Sequence, residues 1–339
     1  MQIASHQFFF EKEALNYPAG KKAYDLIKKE GRRIEFLPSH NRVTGIPGSV
    51  PQEAFFHGKN TIVIGIRRTL DFAGCKPSAH FQLPLVTGCP GMCEYCYLNT
   101  QLGKKPYMRL YVNVDEILAR AAAYVEARRP EITIFEASAT SDPVPGERYT
   151  GALARTVEFF ADQEHGRLRF VTKFPAIDSL LELDHRRHTR IRFSLNTAKV
   201  VDKYEHRTPP LNARLQALAR ILKHGFPGGV IIAPVIMNEG WEEEYNELLE
   251  LIKNYLTGYP DITFEIISHR FTARARSNIM AVFPDTTLPM DESVNRRFKY
   301  GQFGYGKYVY TEDKLKSMKR FFEDKISSLM PDAKIEYII

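Results

Sequence analysis

Two periodicities alternate along the middle of the chain. Short apolar runs at residues 81–86, 132–135, 168–172, 191–195, 230–236 and 262–268 are bounded by turn-forming residues and read as buried strands. Between them, apolar positions recur at helical spacing. Asn113 with Glu116 predicts a capped start to a helix whose buried stripe is Ile117, Leu118, Ala121 and Val125. Leu211–Lys223 predicts a second helix, stopped by Gly225. Trp241, Tyr245, Leu248, Leu249, Ile252 and Leu256 trace one face of a third. Six strands alternating with helices imply a parallel sheet wound in one hand. Six are too few to close an eight-stranded barrel. The expected fold is therefore α/β, an open, partial (β/α)6 TIM-type barrel over residues 77–270, with its chemistry at the carboxyl ends of the strands.

The flanks are patterned differently. Residues 1–76 read as a small N-terminal α/β unit, with strand-like runs at 7–11 and 61–66 and a helix at 21–29. After residue 270 the alternation stops, and residues 271–339 read as a C-terminal extension. There Gly, Tyr and Lys alternate over 300–310, which predicts a β-hairpin. A helix over 312–325 and a strand over Lys334–Ile338 follow.

Composition narrows the function classes. Apolar residues are 44% of the 339, enough for a sizeable core. No apolar run approaches the ~20 residues of a membrane helix, and the first residues lack a signal peptide's basic start and apolar stretch. A cytoplasmic protein, not a membrane one, is expected, and a monomer. The net charge of +7 permits a polyanionic partner without requiring one. Of four cysteines, three fall within Cys89-Pro-Gly-Met-Cys93-Glu-Tyr-Cys96. A disulfide framework would spread them out, so the cluster points to a metal.

That segment directly follows the first barrel strand. Three thiolates on one short loop can ligate three irons of a 4Fe-4S cubane, leaving the fourth iron open to a substrate. A structural zinc site would want a fourth ligand, from Cys75 or a histidine such as His80; otherwise Cys75 reads as an ordinary thiol. The Cys-x3-Cys-x2-Cys spacing, with an aromatic before the third cysteine, resembles the radical S-adenosylmethionine (SAM) superfamily. The resemblance implies that SAM chelates the open iron and is cleaved to methionine and a 5′-deoxyadenosyl radical, with Tyr95 against the adenine. It further implies that the end of the second strand receives the SAM amino group, for which Ser141 and Asp142 offer oxygen acceptors. Lys173, at the end of the third strand, is a candidate partner for the SAM carboxylate. Ser194 and Asn196 share a side of the fourth strand and are candidates for the sugar or methionine part. Ala233, on the fifth, is a candidate backbone contact to the adenine.

Four segments carry a closer resemblance: residues 89–99, residues 135–143, Glu205-His-Arg-Thr-Pro-Pro210, and Lys299-Tyr-Gly-Gln-Phe-Gly-Tyr-Gly-Lys-Tyr-Val-Tyr310. Together they resemble the spore photoproduct lyase family, over nearly the whole chain. The resemblance implies a DNA repair lyase that splits an ultraviolet-induced thymine dimer, 5-thyminyl-5,6-dihydrothymine. The deoxyadenosyl radical takes a hydrogen atom from C6 of the dihydrothymine half, the bridging carbon–carbon bond fragments, and a cysteine returns hydrogen to the thymine methyl radical. A tyrosine, here Tyr97, helps return hydrogen to deoxyadenosine, and a reducing electron donor is required. One position departs from the family: Ala139 stands where the family has its hydrogen-donating cysteine, which implies either an engineered Cys→Ala variant or a divergent member, with impaired hydrogen return.

The lesion must be turned out of a duplex to be reached. Arg296, Arg297, Lys299, Tyr305 and Lys307 are the candidate DNA contacts, through phosphate pairing and base stacking. The readings left open are a radical SAM enzyme acting on RNA or a small molecule, and a zinc-bearing nucleic-acid-binding protein without chemistry.

Overall fold

The structure is a computed structural model, and it describes residues 6–38, 43–300 and 306–339. Tyr305 lies outside the described residues. The chain divides into two compact units, one of residues 1–90 and 102–191, the other of residues 91–101 and 192–339.

The first unit holds two sheets. One runs in the order Ile34–Phe36, Gln7–Phe10, Thr61–Gly65, Met108–Tyr111, Val86–Thr87. The first four strands are parallel and the last is antiparallel. Its centre is apolar on both faces, since every residue of Thr61–Gly65 is buried. The helix Pro18–Lys29 opens on proline and buries Gly20, Ala23 and Ile27. This sheet reaches past residue 76. The run expected as one strand at 81–86 is interrupted at Pro84, and Val86–Thr87 pairs with Met108–Tyr111 instead.

The other sheet starts the strand–helix repeats. Its strands β1 (Ala79–Leu83), β2 (Thr133–Ala137) and β3 (Gly166–Thr172) are parallel neighbours. The short Gly74–Cys75 strand lies antiparallel outside β1. Asn113 does precede the helix Val114–Glu126, but its side chain makes no backbone cap. Its amide donates to Glu116 at 2.8 Å and to the Arg67 carbonyl at 2.9 Å, while its oxygen accepts from the Arg67 N–H. It ties a loop to the helix rather than closing the helix end.

The second unit continues the repeats. β4 (Thr189–Leu195), within which the division falls, neighbours β5 (Gly228–Val235); β6 (Ile262–Ser268) comes next, and Lys334–Ile338 is last. The last two pairings are parallel. The helices Leu211–Lys223 and Trp241–Leu256 have the expected bounds, and all six residues of the expected stripe on the latter are buried. The C-terminal segment is not a detached extension. Its helix Glu312–Leu329 buries Met318, Phe322 and Ile326, with Phe322 edge-on to Tyr245 of Trp241–Leu256 at 5.5 Å, and its terminal strand joins β6. The hairpin pairs Arg296–Tyr300 with Gly306–Tyr310 and sets Lys299 opposite Lys307. No helix among the described residues is long and apolar enough to cross a membrane.

Candidate active site

The cysteine loop starts from a position only glycine can fill. Gly88 has φ +77°, and a Cβ there would stand 2.2 Å from the Tyr107 carbonyl oxygen. Gly88 bridges to Ser141, and Ser141 Oγ also donates to the Gly88 carbonyl, so the end of β2 holds the start of the loop. One residue on, the Cys89 carbonyl accepts from Lys59 Nζ at 2.9 Å. Lys59 is only 2% exposed, with its ammonium over the Phe55 ring at 5.4 Å. A cation so placed sits behind the first cysteine of the motif.

The other two cysteines are held within the second unit by the segment 205–210. Cys93 pairs with Glu205, and Met92 with His206, in a two-residue antiparallel ladder. Tyr95 OH donates to the Glu205 carboxylate. Glu205 in turn forms an ion pair with Arg214 at 2.6 Å, both side chains fully buried. Arg214 also donates to the carbonyls of Ser194 and Pro209 and to Thr208 Oγ1. Burial and the Glu205 charge push the Tyr95 phenol well above its ordinary range, so it stays a donor. Glu94 is buried and accepts from His206 Nε2 at 2.7 Å and from Thr286 Oγ1. Cys93 is buried, Cys89 and Cys96 are half-buried, and all three are free of disulfides. Among the described residues no three His, Cys, Asp or Glu side chains converge as a metal-binding group.

Polar groups stand at the ends of the following strands. After β2 the chain turns through Ser138, at φ +55°, and half-buried Ala139. Ser138 Oγ accepts from the Val86 N–H, which fixes this turn to the first strand's exit. Asp142 is buried and both its oxygens are engaged. They accept from Thr172 Oγ1 at 2.8 and 3.0 Å, from the Lys173 N–H at 2.8 Å and from the Val144 N–H at 3.2 Å. Burial still outweighs those bonds and pushes its carboxyl up to about 6. Lys173 thus contributes its backbone to Asp142, and its side chain is half-buried.

In the second unit, Asn196 is fully buried and saturated. Its amide donates to the Pro234 carbonyl at 2.8 Å, and its oxygen accepts from Tyr245 OH at 2.9 Å and from the Thr197 N–H. Ser194 is buried on the same strand, and Ala233 is half-buried on β5. Tyr97 is 55% exposed, so it is not a core tyrosine.

The hairpin sorts its basic residues into two groups. Arg296, expected to face DNA, is turned inward and 8% exposed. Its guanidinium donates to the His269 and Pro289 carbonyls and to His269 Nδ1, and lies 3.7 Å from the Tyr310 ring centre. Burial and Arg296 push the His269 imidazole down to about 3, which keeps it neutral and able to accept. Arg296 therefore braces the base of the hairpin. Arg297 is half-buried and pairs with Glu312 at 3.1 Å. Lys299 is exposed; Lys307 is half-buried, and burial, then Arg270 and Lys299, lower its pKa.

Sequence reasoning missed Lys59, Glu94, Arg214 and Thr286, and saw Glu205 only as part of a family-like segment. A charged residue in an apolar helix stretch, as at Lys59 and Arg214, is the signal that was there to be read.

Strand–helix repeats, with a three-cysteine loop after the first strand and polar groups at the strand ends that follow, define a radical SAM enzyme. The family model "Spore photoproduct lyase" matches residues 3–339. The chain belongs to the spore photoproduct lyase family. It is 50% identical over 341 residues to the spore photoproduct lyase of Clostridium acetobutylicum, covering all of both chains. It is 44% identical to that of Bacillus subtilis strain 168, covering 97% of this chain and 96% of the relative. Among solved structures it is similar to a spore photoproduct lyase complexed with dinucleoside spore photoproduct, with TM-score 0.96, 41% identity and full coverage of both chains. It is equally similar, at TM-score 0.96, to a double mutant with bound AdoMet and dinucleoside spore photoproduct, with 43% identity and 99% of each chain covered. The fold is thus the mixed α/β radical SAM fold of these lyases.

Proposed function

We propose that this chain repairs DNA by splitting the spore photoproduct, 5-thyminyl-5,6-dihydrothymine, back to two thymines. The observation that carries the reading is the cysteine loop after β1: Cys89, Cys93 and Cys96, none in a disulfide, with Lys59 on the Cys89 carbonyl and the buried Glu205–Arg214 pair beside Cys93. The donor set fits a site-differentiated 4Fe-4S cluster held by Cys89, Cys93 and Cys96. Such a cluster, with SAM, supplies a 5′-deoxyadenosyl radical when bound.

The chain's own residues have distinct tasks. Lys59 places a positive charge behind Cys89, which offsets the negative charge of thiolate ligands. The Arg214–Glu205–Tyr95 chain fixes the residue before Cys96 and orients the Tyr95 ring, which supports its place against the adenine. Ser141 and Lys173 offer a hydroxyl and an ammonium to the methionine part of SAM; Asp142 and Asn196, with their oxygens engaged, hold the strand ends that Ser194 and Ala233 also line. Tyr97, exposed directly after the third cysteine, is the tyrosine available for hydrogen return. Ala139 has no S–H bond to give, so this chain opens the lesion but returns hydrogen poorly. Arg297, Lys299 and Lys307, with Tyr305, are the hairpin's contacts to the damaged strand. A monomer, a cytoplasmic location and an external reducing donor complete the proposal.

The test is anaerobic incubation of the cluster-loaded chain with dinucleoside spore photoproduct, SAM and a reductant, beside Ala139→Cys. The expected result is lesion loss in both, with clean thymine from Ala139→Cys and adducts or stalled radical products from the parent chain. Equal clean repair by both refutes the Ala139 assignment. No lesion loss in either, with the cluster loaded, refutes the substrate.

A further inference from the structure

Within the first unit, a cavity of about 400 Å³ opens beside the strands Thr61–Gly65 and Met108–Tyr111. Arg67, Arg68, Arg109, Tyr107, Tyr111 and Thr87 line it. Its charges do not cancel. Arg109 pairs with buried Glu11 at 3.2 Å, and Arg68 with Glu11 at 3.5 Å and Glu13 at 2.9 Å. Three guanidinium groups against two carboxylates leave one positive charge, and it belongs to Arg67. Arg67 has no carboxylate partner among the described residues. It is held in place instead, its Nε donating to the Thr69 carbonyl at 2.8 Å and its guanidinium over the Tyr111 ring at 5.6 Å. Arg109 stands likewise over Tyr107 at 5.7 Å.

A guanidinium with free edges, fixed over an aromatic ring, suits a phosphate, and tyrosine faces suit a base. The volume is in the range of small-ligand sites, at roughly 300–1,000 Å³. The cavity is also close to the chemistry along the chain: Thr87 is two residues before Cys89, and pairs with Arg109 in the sheet. We propose that this cavity is a nucleotide subsite for the damaged strand, holding a phosphate and base that flank the lesion, with Arg67 as the phosphate contact. The proposal rests on the DNA-repair reading and adds that the protein grips the strand on its N-terminal sheet as well as on the hairpin.

The test compares Arg67→Gln and Arg67→Lys with the parent chain, all cluster-loaded, on two substrates: the dinucleoside lesion, which has no flanks, and a single-stranded oligonucleotide carrying the lesion. Arg67→Gln is expected to raise KM for the oligonucleotide about tenfold, the size of one lost charge-assisted hydrogen bond, with kcat unchanged. It should reduce the salt slope of oligonucleotide binding by roughly 0.7–0.9. Dinucleoside turnover should not change, and Arg67→Lys should restore the slope. An unchanged KM and slope overturn the proposal. So does an equal loss on both substrates, which would place Arg67 at the lesion or in the fold. Arg67-dependent binding of thymidine monophosphate without any oligonucleotide effect overturns it in favour of a free nucleotide. Failure of the parent chain on both substrates would instead refute the DNA-repair reading, and this proposal with it.

Discussion

Asp142 makes a measurable statement about stability. Its carboxyl is buried, and desolvation lifts it from 3.8 to about 6 despite the donors from Lys173, Thr172 and Val144. The native state therefore holds this proton more tightly than the unfolded chain does. Between the two values the native carboxyl is protonated while the unfolded one is ionised, so stability falls as pH rises through that window. A shift of about two units at 1.36 kcal/mol each gives about 3 kcal/mol. Asp142→Asn removes the titration while keeping an oxygen for the Lys173 N–H. The assay is urea unfolding of both chains, prepared alike, from about pH 4 to about pH 7. The stability of Asp142→Asn relative to the parent should rise by about 2 kcal/mol across that range, flattening above the native value. Curves that stay parallel within about 1 kcal/mol refute the reasoning, because the burial penalty would then not be there.

Two further perturbations probe the loop and the hairpin. Arg214→Met leaves the Glu205 carboxylate buried without its cation and should cost about 3–5 kcal/mol in denaturant unfolding. Arg214→Met with Glu205→Met should recover much of that loss, and a single-variant cost below about 1 kcal/mol would count against the brace. Lys299→Gln or Lys307→Gln should each lower the salt slope of DNA binding by roughly one, without loss of fold. Because the two lysines face each other across the hairpin, removing one also relieves a like-charge pair. A salt slope unchanged by both refutes their contact with phosphate.

The repeats were legible because each helix buries one stripe, while the strands are short apolar runs buried on both faces. The helices Leu211–Lys223 and Trp241–Leu256 and the strand β6 fall where the apolar spacing puts them. Legibility failed where one run serves two sheets. Leu83 and Val86 are both buried and three residues apart, yet Pro84 sends them to different sheets. No local period encodes that, since Val86–Thr87 is chosen by Met108–Tyr111, far along the chain. The tail's hairpin, helix and strand fall close to where they are expected, but nothing local to Lys334–Ile338 says that it pairs with β6.

Side-chain roles were legible by residue type and illegible by direction. Asp142, Asn196 and Arg296 each carry the polarity a ligand contact needs, and each spends it inside the protein. The physical reason is the same in all three. A polar group at a strand end or hairpin base is buried by the elements packed on it, and a buried polar group must be satisfied whether or not a ligand is present. Groups satisfied by the fold cannot relax when a ligand leaves, so they hold the strand ends in the geometry the ligand needs. On the proposed function, recognition falls to their neighbours: the Ser141 and Lys173 side chains beside Asp142, the exposed Lys299 beyond Arg296, and Arg67 in the N-terminal cavity. On that proposal the residues that make a site rigid and the residues that touch its ligand are adjacent along this chain but not identical, and spacing alone does not separate them.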